Sequence, residues 1–310
     1  MDSFAFFYKI EKDNKEQKDN NMKVDLHINV WSLKRIMIDI GLKIENIDNN
    51  IKRIFIYLPT KEDIKDNEIK CLSKELKNPD LASLIFNDNC SISSENIIEI
   101  GKIKYHLIDI KKDAKIENNI LELEINRLMS SEKNLYLRFR IDSNTLSKEL
   151  ILTSDNIINT LFKSNIALYN IIDIKINKRR NFDYKNLVLK DNYILFDFNK
   201  IHFLVMDYIY SSINFLSNIS YESRILEIGW ENYINSEKPS KKNLKNIIAY
   251  HFKIKKSDNS NEAGFVLKIL KNKATNIRYI ITAIIIGIIS GIMSSIIPSL
   301  INKLILIFRS

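Results

Sequence analysis

Residues 279–301 read YIITAIIIGIISGIMSSIIPSLI, an uncharged apolar run in a chain otherwise dense in lysine, asparagine and carboxylates. A helix of that length reaches about 34 Å, against a bilayer hydrocarbon core of about 30 Å. The run reads as a single membrane-spanning helix over 279–301. Within it Ala283, Gly287, Gly291, Ser295 and Ser299 recur at every fourth position. Four residues turn a helix by about 400°, so these small side chains make one ridge that winds slowly round it. In lipid, small residues that let backbones approach are a common device for helix association, and Gly-x-x-x-Gly is its best-known form. Two of the six glycines of the chain lie here, although glycine costs about 1 kcal/mol relative to alanine inside a helix. The ridge is expected to make the protein a homo-oligomer through this helix.

Hydroxyls on Thr282, Ser290 and Ser294 lie along the same span and are the candidate pore-lining groups. Pro298 removes the backbone bond to the Ser294 carbonyl and favours a bend. No charge lies inside the span to form a selectivity ring. Lys268, Lys271, Lys273 and Arg278 precede it, and Lys303 and Arg309 follow it. This asymmetry favours an N-terminal side kept in the cytosol. The first residues, MDSFAFFY, lack the basic, apolar and small-residue regions of a signal peptide. The expected layout is a cytosolic domain over 1–271, a basic juxtamembrane linker over 272–278, the span over 279–301 and a short interfacial tail over 302–310. A polar stretch at 111–119 marks a candidate sub-boundary near 115. The short linker would let a movement of the domain reach the helix.

The chain has 310 residues and a formal net charge of +9, from 47 Lys and Arg against 38 Asp and Glu. That balance suits an anionic partner, either the bilayer surface or a nucleotide or oligonucleotide. The abundance of isoleucine, lysine and asparagine points to an AT-rich, microbial genome. Cys71 and Cys90 form no zinc or disulfide pattern and read as reduced thiols.

Period-two alternation dominates residues 1–271. Strands are expected at Lys23 to Val30, Arg53 to Leu58, Tyr105 to Ile110, Ile166 to Ile176, Tyr193 to Phe198, Ile201 to Met206, Arg224 to Ile228, Ile247 to Ile254 and Phe265 to Leu270, with a short first strand near Phe4 to Tyr8. Leu121, Leu123 and Ile125, followed by Leu135, Leu137, Phe139 and Ile141, read as an antiparallel hairpin. Helical spacing appears at Lys61 to Leu76, ended by Pro79, again at Asp80 to Phe86, and at Leu146 to Phe162. The expected fold is mainly β: an antiparallel sandwich or barrel-like domain with one or two inserted helices, followed by the C-terminal helix.

No phosphate-binding glycine loop, HExxH, GxSxG or GxGxxG occurs, and six glycines cannot supply most of these motifs. His27, His106, His202 and His251 fall on separate predicted strands with no shared spacing. The reading is therefore of a protein without a catalytic centre, metal site or cofactor. Basic clusters remain as candidate anion-binding residues. Tyr136, Arg138 and Arg140 share what reads as the outward face of a hairpin strand, and Lys178, Arg179 and Arg180 precede Phe182, Tyr184 and Lys185. Arginine beside tyrosine on an exposed sheet binds phosphates and stacks bases.

A strand-rich cytosolic domain on a self-associating C-terminal helix resembles the membrane effectors of bacterial antiviral, or abortive-infection, systems. The resemblance lies in the layout of the whole chain and in no diagnostic motif, so no family residues carry over. It implies a soluble sensor of a nucleotide or oligonucleotide signal that controls a permeabilising helix bundle, such as an ion channel. A tail-anchored scaffold that tethers a nucleic acid or protein to the membrane is the alternative, with the helix as a passive anchor.

Overall fold

The computed structural model describes residues 3–10, 21–33, 36–125, 133–153, 168–181, 193–215, 220–227, 229–234, 246–255, 261–271 and 277–307. Among these residues the chain is mainly β and forms three sheets. The largest runs in the order β17 (Tyr221–Ile225), β18 (Ile247–Lys255), β15 (Lys200–Tyr208), β2 (Lys23–Ser32), β3 (Ile36–Glu45), β11 (Leu135–Ile141), β8 (Ile103–Ile108), β7 (Ile97–Ile100) and β6 (Cys90–Ser94), with β5 (Ile69–Cys71) also paired to β11. A five-stranded sheet runs β14 (Tyr193–Leu195), β1 (Ala5–Ile10), β4 (Ile51–Tyr57), β10 (Ile120–Glu124), β9 (Ala114–Glu117). A four-stranded sheet runs β12 (Ile151–Thr153), β13 (Leu168–Ile176), β19 (Ala263–Lys271), β16 (Ser212–Phe215). Neighbours are antiparallel except β15 with β2 and β11 with β8. No sheet closes into a barrel.

Alternation explains how these sheets stack. Val24, Leu26, Ile28 and Val30 of β2, Ile38, Ile40, Leu42 and Ile44 of β3, and Leu135, Leu137, Phe139 and Ile141 of β11 point one way. They join Phe6, Ile54, Ile56, Leu121 and Leu123 of the five-stranded sheet and Ile172, Ile174, Leu267 and Ile269 of the four-stranded one in a single buried cluster. This is the sandwich core. Asn177 fastens its smaller sheets: in the left-handed conformation at φ +53°, it accepts from the Phe6 N–H at 2.9 Å and donates to the Phe196 carbonyl at 3.1 Å.

Part of the opposite face of the large sheet is covered by helices rather than by water. Besides α1 (Pro79–Phe86), the described residues hold three short helices, α2 (Ile110–Asp113), α3 (Asn144–Leu150) and α4 (Trp230–Ile234), and the long α5 (Ile277–Ile307). Leu81 of α1 and Trp230, Tyr233 and Ile234 of α4 pack with Trp31 and Met206 of the sheet.

Several expectations are corrected. β10 and β11 do not form a hairpin. They lie in different sheets, because Asn118 and Asn119 at φ +49° and +61° make a tight two-residue turn that pairs β10 with β9 instead. The helix expected over Lys61 to Leu76 is replaced by two single 3-10 turns around β5. Pro79 starts a helix rather than ending one: at the first helical position its missing N–H costs nothing, and Asn78 caps α1 by accepting from Asp80 and Leu81. The helix expected from Leu146 stops at Leu150, where β12 begins. Among the described residues four short helices are inserted where one or two were expected. β3 was not anticipated at all, and strands on both sides of residue 115 share sheets, as β2 with β15 and β4 with β10.

Candidate functional site

Two places combine features that sequence alone left open: the covered face of the large sheet, and α5.

On the covered face, β3 and β11 pair so that Asp39 lies opposite Arg140 and Gly41 opposite Arg138. Arg140 grips Asp39 with two bonds, Nε to Oδ1 at 2.6 Å and Nη2 to Oδ2 at 3.1 Å. Trp31 Nε1 and the Tyr233 hydroxyl also donate to Oδ2, at 2.7 and 2.8 Å. Arg140 Nη1 reaches the carbonyls of Tyr233 and Ile234, the C-terminal end of α4 that would otherwise lack donors. The guanidinium lies 5.0 Å from the Tyr233 ring and 5.6 Å from the Trp31 ring. Burial alone would push Asp39 up, but Arg140 and then Arg138 hold its carboxyl below the usual range. Arg138 donates to two hydroxyls, Nε to Tyr233 at 2.6 Å and Nη1 to Tyr136 at 3.0 Å.

This arrangement corrects the reading of Tyr136, Arg138 and Arg140 as an exposed anion-binding face. They share one face as expected, but their exposures are 0%, 1% and 3%. Helices α1 and α4, from distant parts of the chain, roof them over. Gly41 makes the packing feasible: a Cβ there would stand 2.7 Å from the Tyr136 hydroxyl and 3.3 Å from both Arg138 Nη1 and His27 Cβ.

Next to Arg138 the face carries three histidines that the sequence scattered over three strands. His27 of β2 is the register partner of His202 of β15, and their rings lie 4.9 Å apart. His202 Nδ1 lies 2.9 Å from His251 Nε2 of β18, the two rings nearly parallel at 16°. One of those nitrogens carries the shared proton, so the pair takes up one positive charge without losing the bond but a second only by breaking it. Burial, then His202 and Arg138, pull His27 well below its ordinary value. Burial, then His251, Lys253 and Lys200, bring His202 down to about 4. His251 is lowered by burial, with Glu222 opposing and Arg224 and Lys253 adding to the shift. The signal that could have found this row is the alternation in HINVW of β2 and KIHF of β15; the parallel pairing that aligns them is not local. Among the described residues no group of three His, Cys, Asp or Glu side chains has metal-holding geometry.

Helix α5 contains one stretch, Ile281–Pro298, long and apolar enough to cross a membrane, with mean hydropathy 2.2 and none of it buried against the protein. Ala283, Gly287 and Gly291 are exposed, and nothing stands within 4 Å of a Cβ added at either glycine. Ser295 and Ser299 belong to the helix, but their side chains lie outside what is described. The Ser290 and Ser294 hydroxyls donate back to the carbonyls of Gly287 and Gly291 at 3.0 and 2.8 Å. Thr282 is partly exposed on the same helix. The linker residues 272–276 and the tail residues 308–310 lie outside the described residues.

Of the second basic cluster, Arg179 and Arg180 are exposed on a 3-10 turn, and Lys178 pairs with Glu262 at 3.3 Å. Phe182, Tyr184 and Lys185 fall outside the described residues. No protein-family model matches the chain, and no curated protein is similar to it.

Proposed function

We propose that this protein is a homo-oligomeric, single-pass membrane effector, of the kind its layout resembles. Its helix bundle permeabilises a bacterial inner membrane under the control of a cytosolic β domain that senses an anionic nucleotide or oligonucleotide. The observation that carries the reading is that none of Ile281–Pro298 is buried against the protein, together with the open glycine ridge at Gly287 and Gly291. Ten exposed isoleucine and methionine side chains between Ile281 and Ile297 cannot stay in water, and lipid alone does not favour glycine. Lys268 and Lys271 before the span against Lys303 after it support a cytosolic domain. Arg179 and Arg180 are the exposed remainder of the expected anion-binding residues.

Ion flux from liposomes carrying the full chain tests this reading, beside a Gly287→Leu/Gly291→Leu variant. Flux is expected from the wild type, with oligonucleotide present or absent, and its loss in the variant. Absence of flux under every condition would overturn it.

The Ser290 and Ser294 bonds to the helix's own carbonyls favour a second reading, a tether. Hydroxyls satisfied in this way suit a packed interface better than a wet lumen. A tether would localise and bind its partner with no flux.

A further inference from the structure

The covered face of the large sheet carries more positive charge than its own carboxylates neutralise. Arg138 and Arg140 are both buried, and both oxygens of Asp39 are engaged by Arg140, Trp31 and Tyr233. Arg138 bonds two neutral tyrosine hydroxyls and shares the charge of Asp39 with Arg140. One carboxylate against two buried guanidiniums leaves a net positive charge that a further anion would offset.

From Arg138 the positive character runs outward along the histidines to the solvent. Alternation places Lys200 two residues from His202 on β15, and Lys253 two residues from His251 on β18, all on one face. Lys253 is exposed and Lys200 half-buried. The acids facing this row are Asp25, opposite Lys200 and Lys43 in register; Glu45, bonded to Lys43 at 2.9 Å and to the Tyr105 hydroxyl at 2.6 Å; and Glu222, opposite His251 on β17. Arg224 of β17 is bonded to Glu227 at 3.0 Å. Among the described residues, Asp25 Oδ1 and the buried Asn29 Oδ1, on the same face of β2, have no hydrogen-bond partner.

A divalent cation is the wrong guest here. Lys200, Lys253 and Arg138 repel it, and the facing nitrogens of His202 and His251 already bond each other. An anion is attracted by the same three cations. We propose that the histidine row is a binding site for a soluble phosphate group, inorganic phosphate or a phosphate monoester, held at the rim by His202, His251, Lys200 and Lys253 with Arg138 as the buried charge behind His27. Donors of this kind make charge-assisted hydrogen bonds to phosphate oxygens. Binding draws protons onto the imidazoles, because a nearby opposite charge favours their charged form. Affinity for phosphate therefore rises as pH falls. The site belongs to the β domain and stands or falls independently of any association of α5.

The test uses the full chain in non-ionic detergent with isotope-labelled histidine, whose four imidazoles are followed by NMR across pH. Adding inorganic phosphate in place of chloride at matched ionic strength is expected to raise the apparent pKa of His202 and His251 by about one unit. His106, on β8, is expected to stay where it is. Lys200→Gln/Lys253→Gln, which removes both charges and keeps the side chains polar, is expected to abolish the response. The proposal is overturned if phosphate moves none of the three, if it moves all four alike, or if the double variant responds as the wild type does. Nanodiscs containing phosphatidic acid, without free phosphate, separate the sources. No shift is expected there, and a shift larger than that with inorganic phosphate would assign the site to a lipid headgroup and overturn the soluble one.

Discussion

Asp39 and Arg140 face each other across β3 and β11 as a buried two-bond ion pair, at 2.6 and 3.1 Å, closed off by Trp31 and Tyr233. The pair ties the large sheet to α4, since the same guanidinium bonds the carbonyls of Tyr233 and Ile234. Replacing Asp39 by asparagine leaves two buried guanidiniums with no counter-charge. Such a break costs about 3–5 kcal/mol. Chemical denaturation of Asp39→Asn in detergent is expected to show that loss; a change below 1 kcal/mol would mean the pair behaves as a surface salt bridge.

Stability is expected to depend on pH through the histidine row. In the folded protein His27, His202 and His251 titrate below the ordinary imidazole value of 6.5, His202 at about 4. Below 6.5 the unfolded chain therefore binds protons that the folded protein refuses. The stabilisation is fully present above 6.5 and is lost as pH falls towards 4. The denaturation midpoint should drop across that window, and His202→Gln should flatten the drop. An unchanged slope in His202→Gln would contradict the assignment. Asp39, depressed below the carboxylate range, adds a further loss only at more acid pH.

The turn between β9 and β10 gives two neighbouring asparagines opposite sensitivities. Both have positive φ, but Asn118 is exposed, whereas Asn119 is buried, accepts from the Ile64 N–H at 2.9 Å and donates to the Thr60 carbonyl at 3.3 Å. Asn118→Gly is expected to leave stability within about 0.5 kcal/mol. Asn119→Gly keeps the backbone conformation but drops both bonds, at about 1–3 kcal/mol. Equal thermal shifts in the two variants would show that only backbone conformation matters there.

Local alternation made β2, β4, β8, β15, β18 and β19 legible in the sequence, because each has one largely apolar face. It would have revealed β3 too, since Ile38, Ile40, Leu42 and Ile44 alternate with Asp39, Gly41, Lys43 and Glu45. The candidate site was harder. Polar residues on a strand read as solvent-facing, and the roof over Arg138 and Arg140 comes from residues 79–86 and 230–234, whose docking no local pattern encodes. His27 and His202 meet through a parallel pairing of strands far apart in the chain, a register that periodicity does not set. The apolar helix was the reverse case. Its length and composition alone mark a stretch apolar enough to cross a membrane, whatever it packs against.

The packing of α5 against copies of itself through the Gly287 and Gly291 ridge is the claim on which the membrane reading depends. Disulfide crosslinking in bacterial inner-membrane vesicles tests it most directly, in a Cys71→Ser/Cys90→Ser background that removes both native thiols. Gly287→Cys should crosslink readily to a second copy, whereas Ile285→Cys, about 160° away round the helix, should not. Equal crosslinking at the two positions, or none at either with the protein in the membrane, would contradict it.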